Sequence, residues 1–278
     1  MLLLSALRED GKAELLEILE SIPGSKCLVT DVQLGGLLNQ VIVEGSRFLK
    51  DNDVDHFKEL RDEGLTFTLD GVHTVPDHII YLVRPQLPLM SLIANQIKAA
   101  DRNDVASTFH VYFVPQQFTV CVHLLKEHID KPALFDRIRF GEYKLGLIPF
   151  DTDILSLEMD GCYKQCNVDG DYSSLNIIAE ALLQLQMTFG VIPNVRSKGN
   201  AARKVLQKMM AMRVEELEQE QAALQQQQQN ALSSGLDRDV DLVSPLVTPL
   251  TYEGLIDDTV GIENARVKLD AAVLGTSE

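Results

Sequence analysis

Three carboxylates at alternate positions form the most suggestive chemical pattern in the sequence: Asp237, Asp239 and Asp241. This spacing opens a calcium loop of the EF-hand type, which also needs a glycine at its sixth position and a carboxylate at its twelfth. Leu242 and Thr248 occupy those positions, so the sequence excludes an EF-hand. Alternating acidic and apolar residues instead predict the end of a strand, where the carboxylates cap neighbouring backbone amides.

Cys162 and Cys166 are the nearest approach to a zinc motif. A structural zinc site needs four ligands in paired spacing, and the six histidines lie far from this pair in the sequence. We therefore interpret the two cysteines as ordinary thiols. Only four cysteines occur in 278 residues, which disfavours a secreted disulfide framework and indicates a reducing compartment.

Gly35 and Gly36 follow an apolar run, as in loops that hold phosphate, but a third glycine and a lysine are missing. One alternative stays open. In it the chain is an α/β enzyme that binds a nucleotide or phosphosugar at the strand ends, with a metal ion at Asp151 and Asp153. No Ser/His/Asp set and no Cys/His pair can be placed on facing elements. We therefore predict a protein with no catalytic residues, no cofactor and no metal site.

The charge balance excludes general nucleic-acid binding. Aspartate and glutamate number 41 against 25 lysines and arginines, which gives a net charge of −16, whereas a nucleic-acid-binding surface is basic. One basic stretch, residues 196–213, fits either an acidic partner or lipid headgroups, or else a solvated helix face. No apolar run approaches the roughly 20 residues that a membrane-spanning helix needs, so membrane contact is expected only peripherally, through partners.

The elements that position these residues alternate between apolar runs and amphipathic segments. Continuous apolar runs, typical of strands buried on both faces, occur at residues 26–31, 78–83 and 109–114. Helical periodicity precedes the first run and follows each of them, at residues 4–22, 34–49, 89–100 and 120–129. This alternation predicts an α/β fold with a parallel sheet in a first domain, residues 1–130. Residues 65–69 alternate in polarity and are a candidate for a further strand.

The pattern restarts after residue 131. Short apolar pieces at residues 138–140 and 145–148 precede an acidic stretch and then the clearest helix of the chain. Its apolar stripe consists of Leu175, Ile178, Leu182, Leu185 and Phe189. A second long helix is predicted from Ala201, and the glutamine-rich residues 221–235 are predicted to form a loop.

The segment from Asp237 to Asp258, which reads DRDVDLVSPLVTPLTYEGLIDD, resembles a signature of the SM family, the Sec-1/Munc-18-like proteins. The similarity is strongest to the vacuolar protein-sorting branch of that family. Supporting blocks occur in the same order along the chain, at residues 81–85, 111–115, 148–151 and 168–171. The resemblance covers nearly the whole sequence.

This resemblance implies a non-enzymatic protein that binds SNAREs during vesicle docking and membrane fusion. The implied fold is an arch of two Rossmann-like parallel-sheet domains and a helical third domain. On this template residues 1–130 form the first domain, 131–248 the front half of the second, and 249–278 the start of the third. Because the vacuolar branch belongs to the HOPS and CORVET tethering complexes, further implied partners are tethering subunits. The implied location is cytoplasmic, peripheral on late endosome, vacuole or lysosome membranes.

Residues of the signature are expected to act as a scaffold. Asp237, Arg238, Asp239 and Asp241 would tie the junction of the second and third domains through charge-assisted hydrogen bonds, so Arg238→Ala should destabilise the second domain. Tyr252 and Glu253 would fix the first helix of the third domain, and Pro249 is a further candidate in the same segment.

Two departures from the family pattern carry expectations of their own. The family places an apolar strand directly before Asp237, where here only Leu232 and Leu236 are apolar enough to serve. We therefore expect that strand to be missing or badly shortened. The sequence also stops where the third domain of the family continues, which suggests a truncated product or an incomplete gene model.

Overall fold

The computed structural model describes residues 2–42, 45–62, 64–65, 67, 75–103, 105–150, 154–190, 192, 194–219, 232–263 and 266–269. The chain divides into two compact units, Met1–Ser156 and Leu157–Glu278. Within the described ranges, no helix is both long and apolar enough to cross a membrane.

The first unit is built on a five-stranded sheet, which confirms the predicted α/β class. Its strands are β1 (Lys26–Thr30), β2 (Val54–Glu59), β3 (His78–Val83), β4 (Thr108–Phe113) and β5 (Ile138–Glu142). They lie in the order β2-β1-β3-β4-β5, and every neighbouring pair is parallel. In this doubly wound order the direction of winding reverses between β1 and β3, the switch point where such folds place their ligands.

Helices cover both faces of this sheet. They are α1 (Leu2–Glu20), α2 (Val32–Val41), α3 (Ser46–Asp51), α4 (Leu87–Arg102), α5 (Thr119–His128) and α6 (Pro132–Phe135). Successive residues of a strand face opposite sides, so Ile79 and Tyr81 join the core under α4 and α5, whereas Ile80 and Leu82 join the core under α1 and α2. Both faces are therefore apolar, which explains the continuous apolar runs in the sequence. A short antiparallel pair, β6 (Ile148–Pro149) and β7 (Leu155–Ser156), completes the unit.

The structure differs from the sequence-based expectations for this unit at three places. The unit ends at Ser156, not near residue 130, because β5 pairs with β4 and belongs to the first sheet. The helix expected over residues 34–49 is two helices, α2 and α3. Strand β2 was not foreseen, and Leu65 and Phe67 lie outside any strand, while the other positions of residues 65–69 fall outside the described residues.

The second unit contains α7 (Cys162–Lys164), a π-helical turn (Gln165–Asp169), α8 (Ser174–Phe189), β8 (Asn194–Lys198), α9 (Asn200–Gln219) and β9 (Leu232–Leu236). It continues through two 3₁₀ turns, Arg238–Val240 and Ser244–Leu246, to α10 (Tyr252–Thr259). Strands β8 and β9 form a parallel pair. Its core lies between α8 and α9, where Leu175, Ala179 and Leu183 pack with Val205 and Met209.

Strand β9 corrects the expectation that the strand before Asp237 is missing or badly shortened. Leu232–Leu236 pairs in register with Asn194–Lys198, so the predicted loop over residues 221–235 is wrong for its last four positions. The strand reads Leu-Ser-Ser-Gly-Leu, and its small polar residues hid it from an argument based on apolar runs. The glutamine run itself lies outside the described residues.

Candidate partner-binding site

The switch point of the first sheet is closed by a carboxylate. Asp31 directly follows β1, is buried, and accepts hydrogen bonds from the backbone amides of Leu34, at 2.9 Å, and Arg84, at 3.0 Å. The first bond caps α2, and the second holds the end of β3. One side chain therefore joins the two crossovers between which the winding of the sheet reverses.

Gly35, the first of the two glycines after β1, has a packing role at this point. A Cβ atom at Gly35 would lie 2.8 Å from the Thr30 hydroxyl oxygen, so only glycine lets α2 approach the end of β1 this closely. Because the Asp31 carboxylate already holds an amide at the start of α2, its negative charge opposes a phosphate at the same place. This geometry argues against the nucleotide-binding alternative.

The metal pair invoked in that alternative, Asp151 and Asp153, lies outside the described residues. Over the ranges that the structure describes, no group of three or more histidine, cysteine, aspartate or glutamate side chains could hold a metal ion.

Apolar side chains are exposed at the carboxyl edge of the first sheet. Val32 is 66% exposed, Leu87 49% and Val120 63%. Each stands at the first or second position of the helix that follows β1, β3 or β4, and the carboxyl ends of parallel strands meet at one edge. We call these three residues the carboxyl-edge patch. Sequence periodicity gave no signal for it, because Val32 and Leu87 precede the predicted helices and Val120 counts as the first position of one.

In the second unit, Asp237 joins the end of β9 to the start of α9. Its carboxylate accepts a hydrogen bond from the Ala201 amide at 2.8 Å, and its own amide donates to the Lys198 carbonyl at 2.9 Å. Gly199 makes the approach possible, because a Cβ atom there would lie 2.1 Å from the Cβ of Asp237, and its φ of +103° suits glycine. A carboxylate at a helix N-terminus is stabilised by the helix dipole.

The other two aspartates of the motif also accept hydrogen bonds. Asp239 accepts from the Tyr163 hydroxyl at 2.9 Å, and this bond raises the pKa of Tyr163. Asp241 accepts from the amides of Val243 and Ser244, each at 3.1 Å, and from the Ser244 hydroxyl. Hydrogen bonds from Ser244 lower the pKa of Asp241. The prediction that these carboxylates cap backbone at a strand end is confirmed for Asp237 and Asp241.

Arg238 does not take the role that the sequence suggested. Its side chain is exposed and makes no hydrogen bond or ion pair with any described residue, so no tie exists there for an alanine substitution to break. Its positive charge helps to lower the pKa of Asp241, but less than the hydrogen bonds from Ser244 and Val243 do.

The start of helix α10 is held by Thr251 and by the expected candidate Pro249, and not by Tyr252. The Thr251 hydroxyl caps it by accepting from the Gly254 amide at 3.1 Å, and a Cβ atom at Gly254 would lie 2.6 Å from the Cβ of Pro249. Tyr252 is 83% exposed. Glu253 is exposed in the first turn, where its negative charge interacts favourably with the helix dipole. Pro249 and the unforeseen Thr251 therefore position the helix start, and Tyr252 faces outward.

Two lysines of the basic stretch, residues 196–213, make contacts within the second unit. The Lys204 ammonium lies 3.1 Å from the centre of the Tyr172 ring, and Lys208 donates to the Asn176 side-chain oxygen. Arg196, Lys198 and Arg203 are exposed. Their exposure fits either interpretation of the stretch, and Arg196 and Lys198 lie on β8, while Lys204 and Lys208 secure α9 within the unit.

Comparison with known proteins decides the family. The sequence profile of the Sec1 family matches residues 26–277. The chain belongs to the Sec1 family. Vacuolar protein sorting-associated protein 33A of Rattus norvegicus is 39% identical over 269 residues, which are 96% of this chain and 42% of that protein. The vacuolar protein-sorting-associated protein 33 homolog of Arabidopsis thaliana is 34% identical over 275 residues, 99% of this chain and 44% of that protein.

Solved structures of SM proteins have the same fold. The SM protein Vps45 in complex with the Qa SNARE Tlg2 aligns with a TM-score of 0.62 at 17% identity, over 98% of this chain and 46% of that one. The Unc18–syntaxin 1 complex of Monosiga brevicollis aligns with a TM-score of 0.60 at 18% identity, over 88% and 42%.

These comparisons confirm the resemblance drawn from the signature and the fold class. The chain spans less than half the length of the relatives it matches, and corresponds to their N-terminal portion. Members of the family are non-enzymatic regulators of SNARE-mediated fusion.

Proposed function

We propose that the chain is the N-terminal part of an SM-type SNARE-binding protein, acting in vesicle docking and fusion at the late endosome, vacuole or lysosome. It would be a peripheral subunit of a HOPS-like or CORVET-like tethering complex. The observation that carries the proposal is the family match over residues 26–277, together with the vacuolar sorting names of relatives at 34% and 39% identity.

The physical task of such a protein is to hold helical segments side by side. A SNARE bundle must nucleate before it can propagate, and fixing the first helical turns costs conformational entropy. A folded surface that binds the apolar faces of these helices holds the segments in place and so lowers the entropy cost of nucleation. No bond is made or broken, which agrees with a switch point closed by Asp31.

We place the first contact at the carboxyl-edge patch. Val32, Leu87 and Val120 are exposed, stand on the first turns of α2, α4 and α5, and lie at the carboxyl edge of one sheet. The proposed occupant is the apolar face of one SNARE helix. In the second unit the roles are those of a scaffold: Asp237, Asp239 and Asp241 hold local structure.

Binding to SNARE helices tests the proposal. We expect isothermal titration of the 278-residue chain with a SNARE helical segment to show saturable binding. Val120→Asp should weaken that binding at least tenfold, because it places a charge within the apolar contact. Aspartate near the start of a helix is favourable, so the substitution should leave the fold intact.

Val75→Asp is the matched control. Val75 is also an exposed valine, at 53%, but it precedes β3 and so lies at the opposite edge of the same sheet. The Val75→Asp variant should bind SNARE helices as tightly as the unchanged chain does. Absence of binding to any SNARE helix would refute SNARE binding by this chain, and equal weakening by both variants would refute the placement of the contact.

Pull-down against tethering subunits tests the second half of the proposal. Retention by subunits of a HOPS-like or CORVET-like complex is expected, and it should be unaffected by Val120→Asp. If neither subunit set retains the chain, membership of a tethering complex is rejected for it.

A further inference from the structure

Two thiols and a hydroxyl meet at the start of α8. The sulfur of Cys162 lies 3.4 Å from the Ser174 hydroxyl oxygen, and the sulfur of Cys166 lies 3.7 Å from the same oxygen. Both cysteines are free, and all three residues belong to the second unit.

The two sulfurs differ in their access to solvent. Cys166 is buried among Leu175, Ala179 and Val205, whereas Cys162 is only half-buried at the edge of this core. Burial raises the pKa of the Cys166 thiol, and the neighbouring Cys162 sulfur raises it further. A dissolved oxidant therefore meets Cys162 before it meets Cys166.

We propose that Cys162 and Cys166 form a redox-sensitive thiol pair that closes to a disulfide under peroxide. The Cys162 thiolate attacks one oxygen of hydrogen peroxide, breaks the O–O bond and becomes a sulfenic acid, while the released hydroxide takes up a proton to form water. The Cys166 sulfur then attacks the Cys162 sulfur and expels a second water, the thiol proton leaving with it. The two sulfurs lose two electrons in all, and the peroxide gains them.

The helical turn that carries the pair must change shape when it closes. Residues four apart on a helix have Cα atoms about 6 Å apart, within disulfide range, but their Cβ atoms are about 5–6 Å apart and must approach to about 4 Å. This segment runs from α7 into a π-helical turn, a form frequent at functional sites. Tyr163 stands between the two cysteines, and its hydroxyl binds Asp239 of the signature segment. Closure should therefore loosen that contact.

Peroxide titration of the folded chain tests the proposal. After the remaining thiols are alkylated, peptide mass spectrometry should find a linked Cys162–Cys166 pair that is two hydrogens lighter and that dithiothreitol reverses. Amide hydrogen exchange at residues 237–244 should quicken about three- to tenfold in the oxidised form, the loss expected from one exposed hydrogen bond to a carboxylate. Tyr163→Phe should show the same acceleration without oxidant.

Variants separate the pair from general thiol oxidation. Cys166→Ser should stop at a sulfenic acid on Cys162, which dimedone traps. Cys121→Ser, which removes a buried thiol of the first unit, should leave the yield of the disulfide unchanged. Separate oxidation of the two sulfurs in the unaltered chain, or linkage no faster in the folded chain than in urea, would overturn the proposal. An unchanged exchange rate at residues 237–244 after closure would overturn its coupling to Asp239.

Discussion

The hydrogen bond between the Asp237 carboxylate and the start of α9 provides a specific test of how the signature segment, residues 237–258, is held. Asp237→Ala removes the carboxylate that accepts from the Ala201 amide at 2.8 Å and, more weakly, from the Asp239 amide at 3.4 Å. Loss of an N-terminal cap costs about 1 kcal/mol, and loss of a negative charge at a helix N-terminus adds about 0.3–1 kcal/mol. The 3.4 Å bond is too long to add much. We expect the free energy of unfolding of the second unit to fall by about 1.3–2 kcal/mol.

Amide hydrogen exchange measures this locally. Since about 1.4 kcal/mol corresponds to tenfold, the amides in the first turns of α9 should exchange about 10- to 30-fold faster in Asp237→Ala. Urea unfolding followed by circular dichroism provides the global value. Asp237→Asn keeps an acceptor and should recover most of the loss, because asparagine is also a good cap.

Arg238→Ala is the control from the adjacent position. Its exposed side chain has no hydrogen-bond partner among the described residues, so its removal should change stability by no more than about 0.5 kcal/mol. The reasoning is refuted if Arg238→Ala costs as much as Asp237→Ala, or if Asp237→Ala leaves exchange in α9 unchanged.

Three further predictions follow from single contacts. Gly199→Ala should destabilise more than Gly170→Ala in urea, because both have positive φ but only Gly199 would also clash with a neighbouring side chain. Asp31→Ala should cost about 2–3 kcal/mol in urea unfolding of the first unit, since it leaves two backbone amides without their acceptor. Burial and the nearby His78 lower the pKa of His110 from 6.5 to about 4. The native state then binds fewer protons than the unfolded chain between these values, so stability should be full above pH 6.5 and fall toward pH 4, and His110→Phe should flatten that profile.

The predictable part of the fold was the part that is buried on both faces. Strands β1, β3 and β4 lie in the middle of the sheet and read as unbroken apolar runs. Strand β2 lies at the edge, alternates between buried and exposed residues, and contains Asp55, His56 and Lys58. An edge strand of this composition carries little signal, so the sequence pattern favours the more apolar residues 65–69 as a strand.

The boundary of the first unit was hidden for a different reason. Strand β5 is a run of five residues that includes Gly141, and its length and polarity fit either unit. Only its pairing with β4 assigns it, and pairing between distant segments leaves no trace in local periodicity. The same limit applied to β9, whose partner β8 lies more than thirty residues earlier in the chain.

In the signature segment, residue type predicted which side chains accept hydrogen bonds but not which amides donate. Aspartates at a strand end favour capping, so the roles of Asp237 and Asp241 followed from chemistry. That Asp237 would cap a helix 36 residues earlier in the chain depended on Gly199, which only the backbone geometry reveals. Arg238 was misjudged because a cation among carboxylates suggests an ion pair, whereas all three carboxylates are bonded to N–H or O–H groups elsewhere.

The two units use one device at their strand ends: an aspartate carboxylate that caps the start of a helix. Asp31 ends β1 and caps α2, with Gly35 allowing the close approach, and Asp237 ends β9 and caps α9, with Gly199 allowing it. In nucleotide-binding relatives of this architecture, such a helix start is left free for a phosphate. Here a carboxylate of the chain supplies the negative charge permanently. The aspartate carboxylate reaches the helix start when the chain folds. A free anion would have to displace this carboxylate in order to bind. The fold therefore keeps its layered architecture while the helix start is closed to a phosphate.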